Sequence, residues 1–215
     1  MDFIQKAVMI LVPMILSLTV HEYSHALAAK LLGDDTAQRL GRLTLNPMAH
    51  IDIFGTILLP LFSIGTGMPF LGWAKPVPTD PRRYQKVSRK TGYLLVSIAG
   101  PISNFMFGIL AITILKILIV NGMITSGNSM LLKILQMFIF MNIGLGFFNL
   151  LPIPPLDGSK ILQWFLSEEM ARKLEENSMI FFGVLIILVF TGAIDYLVKP
   201  IFWIVKALFT LYGIQ

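Results

Sequence analysis

Apolar and polar positions along this chain come in blocks rather than in fine alternation. "FIQKAVMILVPMILSLTV" opens an apolar run that continues through "HEYSHALAAKLL" and stops at Gly33-Asp34-Asp35. It predicts one helix from about Phe3 to Leu32, with a kink at Pro13. A polar loop with Arg39 and Arg42 follows. The next apolar piece, Ile53 to Ile64, contains Gly55 and Pro60 and is too short for an ordinary span. "GWAKPVPTDPRRYQKVSRK" is a proline-broken basic loop. Two clear spans come next, about Tyr93 to Val120 and Leu131 to about Leu151, joined by the uncharged "NGMITSGNS". "PIPPLDGSK" breaks the second of these, and "SEEMARKLEENS" is charged and exposed. Met179 to Tyr212 predicts one span plus either a second span or an interfacial helix.

The blocks predict an all-α polytopic membrane protein, a helical bundle of about four to six membrane segments with a short re-entrant element. One domain is expected over residues 1–215, with its core at 1–165 and C-terminal helices at 178–215. Composition agrees: 55% of residues are hydrophobic and 13% charged, against about 25% charged in soluble domains. Mean hydropathy is +0.76. The net charge of +5 would suggest nucleic acid in a soluble chain. Here the basic residues lie between apolar runs, where they act as topology signals toward anionic lipid. The expected surroundings are a lipid bilayer, with no nucleic-acid partner. There is no cysteine, so a metal would have to be held by His, Asp or Glu. The first helix is expected to be retained, because cleavage at the small residues of "ALAA" would destroy the polar motif it carries.

The positive-inside rule puts the loops at 34–50, 75–90 and 159–178 on the cytoplasmic side of a cell membrane. The short segment between the first two must then dip in and return. Irregular backbone at that depth needs a protein or water lining, so a wet pocket open toward the cytoplasm is expected.

His21-Glu22-Tyr23-Ser24-His25 carries the chemistry. On a helix, positions i and i+4 share a face, so both imidazoles can bind one Zn²⁺. Glu22 is offset around the axis, within reach of a zinc-bound water as general base. Two polar residues packed in a bundle would be the bland alternative. Ionisable groups inside an apolar helix are expensive, which favours function. A catalytic zinc needs a third protein ligand. Asp157, in "NLLPIPPLDG", reads equally well as that ligand or as a helix cap. Depth favours a site: the first helix, Asn104 on the next long span, and Asn149 with Asp157 on the following one all reach one level of the membrane.

Five blocks in order, "HEYSH" at 21–25, "NPMAHIDIFGT" at 46–56, "GWAKPVP" at 72–78, "GPISN" at 100–104 and "NLLPIPPLDG" at 149–158, resemble the site-2 protease family of intramembrane zinc metalloproteases, peptidase family M50. The resemblance implies one Zn²⁺ per chain on His21, His25 and Asp157, with Glu22 as catalytic base. It implies Asn104 and Asn149 as polar groups near the site, holding a scissile carbonyl or else gluing helices together. His50 and Asp52 lie in a block where the family has proline and this chain has Ile53. His50 is expected to support the site from behind rather than ligate. "GWAKPVP" is expected to be extended and to line the substrate path. The form is minimal, since the loop at 121–130 has no room for a PDZ insert and no nucleotide-sensing domain is expected. The implied activity is endoproteolysis within a transmembrane segment of another protein. Rival readings are a metal or proton transporter, or a non-cleaving membrane-binding relative. Neither needs a base beside two ligands.

Overall fold

The computed structural model describes residues 2–68, 72–124 and 130–214. Helix α1 runs Phe3–Leu32, capped by the Asp2 carboxylate on the Gln5 amide and ended by Gly33 in the left-handed region. Only glycine adopts that conformation without strain, so the helix stops there. Helix α2, Thr36–Arg39, is a single turn. The short apolar piece opens with a wide π-type turn at Ile53–Leu58 and continues as α3, Leu59–Thr66. An extended stretch follows from Gly72 to Asp80. Helices α4, Arg89–Val120, and α5, Met130–Asn149, are the two long spans. The uncharged turn between them is described only through Ile124, and the remainder lies outside the described residues. After the prolines come α6, Asp157–Phe165, and the charged α7, Glu168–Glu176. Helices α8, Ser178–Phe190, and α9, Asp195–Leu211, close the chain.

Among the described residues, three helices are long and apolar enough to cross a membrane. The count is four if α8 and α9, bent by 69°, form one broken span. No strand occurs among the described residues, and the architecture is the expected all-helical membrane bundle.

Helix α1 has two unlike faces. Ile4, Val8, Val12 and Leu16 repeat every fourth residue and are exposed, whereas Ser17, His21 and His25 are buried. A face of exposed branched aliphatics suits hydrocarbon, and the buried polar stripe must therefore find its partners inside the bundle. Those partners come from α4 and α5, which pack against α1 and each other. Farther along α4, Ala111, Ile112 and Leu115 join Ile139 and Ile143 of α5 and Ile201 and Val205 of α9 in an apolar core.

Candidate metal centre

Helices α1 and α4 match at four-residue intervals. His25 directs Nδ1 at the Val96 carbonyl, 2.7 Å away, and His21 directs Nδ1 at Asn104 Oδ1, 2.6 Å away. Between Val96 and Asn104 lies Gly100. A Cβ there would overlap His25 Nε2 and His21 Cε1, so the imidazoles rest directly on the α4 backbone. Antiparallel helices with i, i+4 stripes present whole rows to each other, which is why the register extends over two turns.

The orientation of Asn104 follows from its other neighbours. Its Nδ2 donates to the Ser17 carbonyl at 3.2 Å and to Asn142 Oδ1 at 3.0 Å. Its Oδ1 is therefore the atom facing His21. Asn142 Nδ2 in turn donates to Ser17 Oγ at 2.7 Å and to the Phe138 carbonyl at 2.9 Å. Ser17 Oγ donates to the Pro13 carbonyl. Every member of this buried network has a partner, which is the condition for polar groups to be tolerated at such depth.

With both Nδ1 atoms facing acceptors, each carries the hydrogen of the neutral ring, and in that form both Nε2 atoms present lone pairs. These lone pairs point at one place. The two Nε2 atoms are 3.0 Å apart, and Asp157 Oδ2 is 3.1 Å from each. Three acceptors converge with no hydrogen to share, an arrangement that calls for a cation. Donor atoms at zinc bond lengths in tetrahedral disposition would be about 3.3 Å apart, so the triangle has the size of a zinc site. Among the described residues, His21, His25 and Asp157 form the one group of this kind.

Asp157 is in the first turn of α6. The preceding loop brings it there, and Gly158 packs so close to the Leu150 and Leu151 carbonyls that no side chain fits. Lys160 Nζ lies 3.2 Å from Asp157 Oδ1, leaving Oδ2 for the histidines. Glu22, one residue round the helix, is buried. Its Oε2 accepts a 2.7 Å hydrogen bond from the Val77 amide.

The other expected residues lie elsewhere. His50 is buried and donates Nε2–H to the Thr44 carbonyl at 2.8 Å, while its own carbonyl accepts from Lys75 N. It braces the extended stretch and does not join the three-residue group. Asp52 caps the π-type turn through the Gly55 amide. Asn149 donates Nδ2 to Leu145 O of its own helix. Asn142 and Ser17 were not picked out from sequence, although a signal existed. Asn142 is seven residues before Asn149, on the same helical face, and Ser17 is four before His21.

The profile of peptidase family M50 matches residues 9–191. YwhC of Bacillus subtilis (strain 168), named as a candidate zinc metalloprotease, is 37% identical over 193 residues, covering 89% of this chain and 84% of its own. Two proteins called Rip2 carry the same description. That of Mycolicibacterium smegmatis is 25% identical over 205 residues, covering 94% and 75%. That of Mycobacterium tuberculosis (strain H37Rv) is 31% identical over 172 residues, covering 78% and 61%. No solved structure matches significantly. With the profile spanning most of the sequence and the histidine and aspartate side chains meeting inside a membrane bundle, the chain belongs to peptidase family M50, the site-2 protease family of membrane metalloproteases.

Proposed function

We propose that the protein is a zinc-dependent intramembrane endopeptidase that hydrolyses a peptide bond within or beside a transmembrane segment of another protein. The observation that carries this reading is the pair of Nε2 lone pairs converging with Asp157 Oδ2, one residue from a buried glutamate. His21, His25 and Asp157 would hold the metal. Zinc in that position supplies Lewis acidity, making water a nucleophile near neutral pH and polarising a carbonyl.

The remaining roles fall to side chains. Glu22 takes the proton from the attacking water and returns it to the leaving amine nitrogen. Asn104 and Val96 hold the imidazoles in the tautomer that leaves Nε2 unprotonated, and Lys160 orients Asp157. Asn104 spends its amide on this task, so Asn149, with one described bond to its own helix, is the better candidate for meeting a substrate carbonyl. A helical substrate hides its carbonyls in internal hydrogen bonds, so it must unwind before attack. The Lys and Arg residues of the loops at 34–50 and 75–90 favour a site toward the cytoplasmic side of a multi-pass protein. Residues 1–215 form one unit in this reading.

Glu22→Gln in proteoliposomes tests it, with a fluorogenic single-span peptide carrying Asn-Pro in its apolar run as substrate. The variant should retain zinc and lose cleavage. Zinc flux that survives in Glu22→Gln, with no cleavage by the wild type, would replace proteolysis by transport. His21→Ala and Asp157→Ala should each lose zinc, and full zinc in Asp157→Ala would remove that residue from the ligand set.

A further inference from the structure

The extended stretch from Gly72 to Asp80 is pinned on one side at alternate residues. Trp73 N donates to the Gly55 carbonyl and Trp73 O accepts from Thr56 Oγ1. Lys75 N donates to the His50 carbonyl at 2.9 Å, and Lys75 O accepts from Arg42 at 2.7 Å. Beyond the site, Asp80 N donates to Asp34 Oδ2 at 2.6 Å. In extended backbone, residues i, i+2 and i+4 direct their amides the same way. The third amide in this row is that of Val77. Its acceptor is not a backbone carbonyl like the two before it but the Glu22 carboxylate, at 2.7 Å.

The local sequence isolates this donor. In Lys75-Pro76-Val77-Pro78-Thr79 both flanking residues are prolines without an N–H. One amide hydrogen remains between Lys75 and Thr79, and it is the one Glu22 receives. Anchors on both sides of Val77 fix its position, so the carboxylate is held by a preset group rather than by a mobile side chain.

We propose that the Val77 amide is a positioning group for Glu22: it holds Oε2 so that Oε1 is left to receive the proton. This rests on the reading of Glu22 as the base. Val77 acts through Glu22 alone, and its side chain has no part in the role. A charge-assisted hydrogen bond to a long, otherwise rotatable carboxylate limits it to one orientation, and alignment of a general base is worth much of what that base contributes.

The test compares Val77→Pro, which deletes the donor, with Val77→Ala, which keeps it. Lys75→Pro deletes the neighbouring backbone bond to His50, which does not touch Glu22. With the same single-span peptide, Val77→Pro should lower kcat by about 10- to 100-fold with KM within about twofold. Val77→Ala, which loses the side chain and keeps the donor, is the reference for that loss, and zinc content should be unchanged throughout. The infrared carboxylate stretch that disappears in Glu22→Gln should shift in Val77→Pro and in neither other variant. If Val77→Pro does not fold, an ester in place of the 76–77 peptide, made with the hydroxy analogue of valine, removes the same hydrogen. Val77→Pro or the ester cleaving as fast as Val77→Ala overturns the proposal. So does an equal loss in Lys75→Pro with an unshifted Glu22 band. A fully active Glu22→Gln would overturn the catalytic reading of Glu22 instead.

Discussion

Helix α4 runs through two environments that could hardly differ more. From Val96 to Asn104 it meets α1 and α5 through directed hydrogen bonds and through the bare backbone of Gly100. From Ala111 to Leu115 it meets α5 and α9 through an apolar core, with a single 3.3 Å hydroxyl contact between Thr113 and Tyr212 at its edge. Inside a bilayer, lipid competes equally for apolar surface, so the distal half is held by shape and close packing. The site half is held by bonds whose angles matter, because an unpaired polar group has no water to turn to. The same helix is therefore sensitive to errors of shape at one end and to errors of direction at the other. Glycine marks both regimes. Gly100 admits the imidazoles, and Gly108 admits the Ile143 side chain.

The sharpest way to break this contrast is Gly100→Ala. The added methyl would press on both imidazoles, and zinc affinity should fall by about 100-fold, read by metal content after dialysis against a chelator. Asn142→Leu should come next. It removes the support beneath Asn104 without touching a ligand, weakening zinc by about tenfold while destabilising the fold by only about 1 kcal/mol. Ile112→Ala inverts the pattern. Reversible unfolding in mixed micelles should register a loss of about 2 kcal/mol, with zinc affinity unchanged. An Ile112→Ala variant that lost zinc as readily as Asn142→Leu would erase the distinction between the two halves.

The smallest effect belongs to neither half. Tyr84, in the loop before α4, packs against Ala29 and Val96. Burial pushes its hydroxyl from 10.0 up to about 12. A raised folded pKa in an acid means that the folded state favours the neutral phenol. The contribution is then complete below pH 10 and is lost as pH rises through 12. Thermal unfolding from pH 9 upward should show a decline in stability that Tyr84→Phe reduces.

Much of the bundle was legible in the chain. The first helix ends at Leu32 as expected because Gly33 is followed by two aspartates, and α4 and α5 match the two clear apolar spans. The short piece from Ile53 stands apart from the spans in sequence and structure alike, since a proline and a glycine interrupt it. The C-terminal run left two options, and the 69° bend between α8 and α9 was beyond reach. Such a bend depends on what the two helices pack against, and apolar runs say nothing of that.

Local sequence was enough to mark the candidates for chemistry: the i, i+4 spacing of His21 and His25 with Glu22 beside them, and Asp157, which read equally well as a ligand or as a helix cap. These are local patterns, and helical geometry turns them into positions. Only the tertiary structure decided what surrounds them. Asn142 and Ser17 entered the network, Asn104 turned its oxygen to His21, and His50 stayed with the extended stretch. The Val77 amide, invisible to any reading of side chains, reached Glu22. The reason is physical. In a membrane interior each polar group must find a partner, yet the chain does not say which of several partners at the same depth lies within 3 Å. That is fixed by helix register and rotation, which arise from packing across the whole bundle.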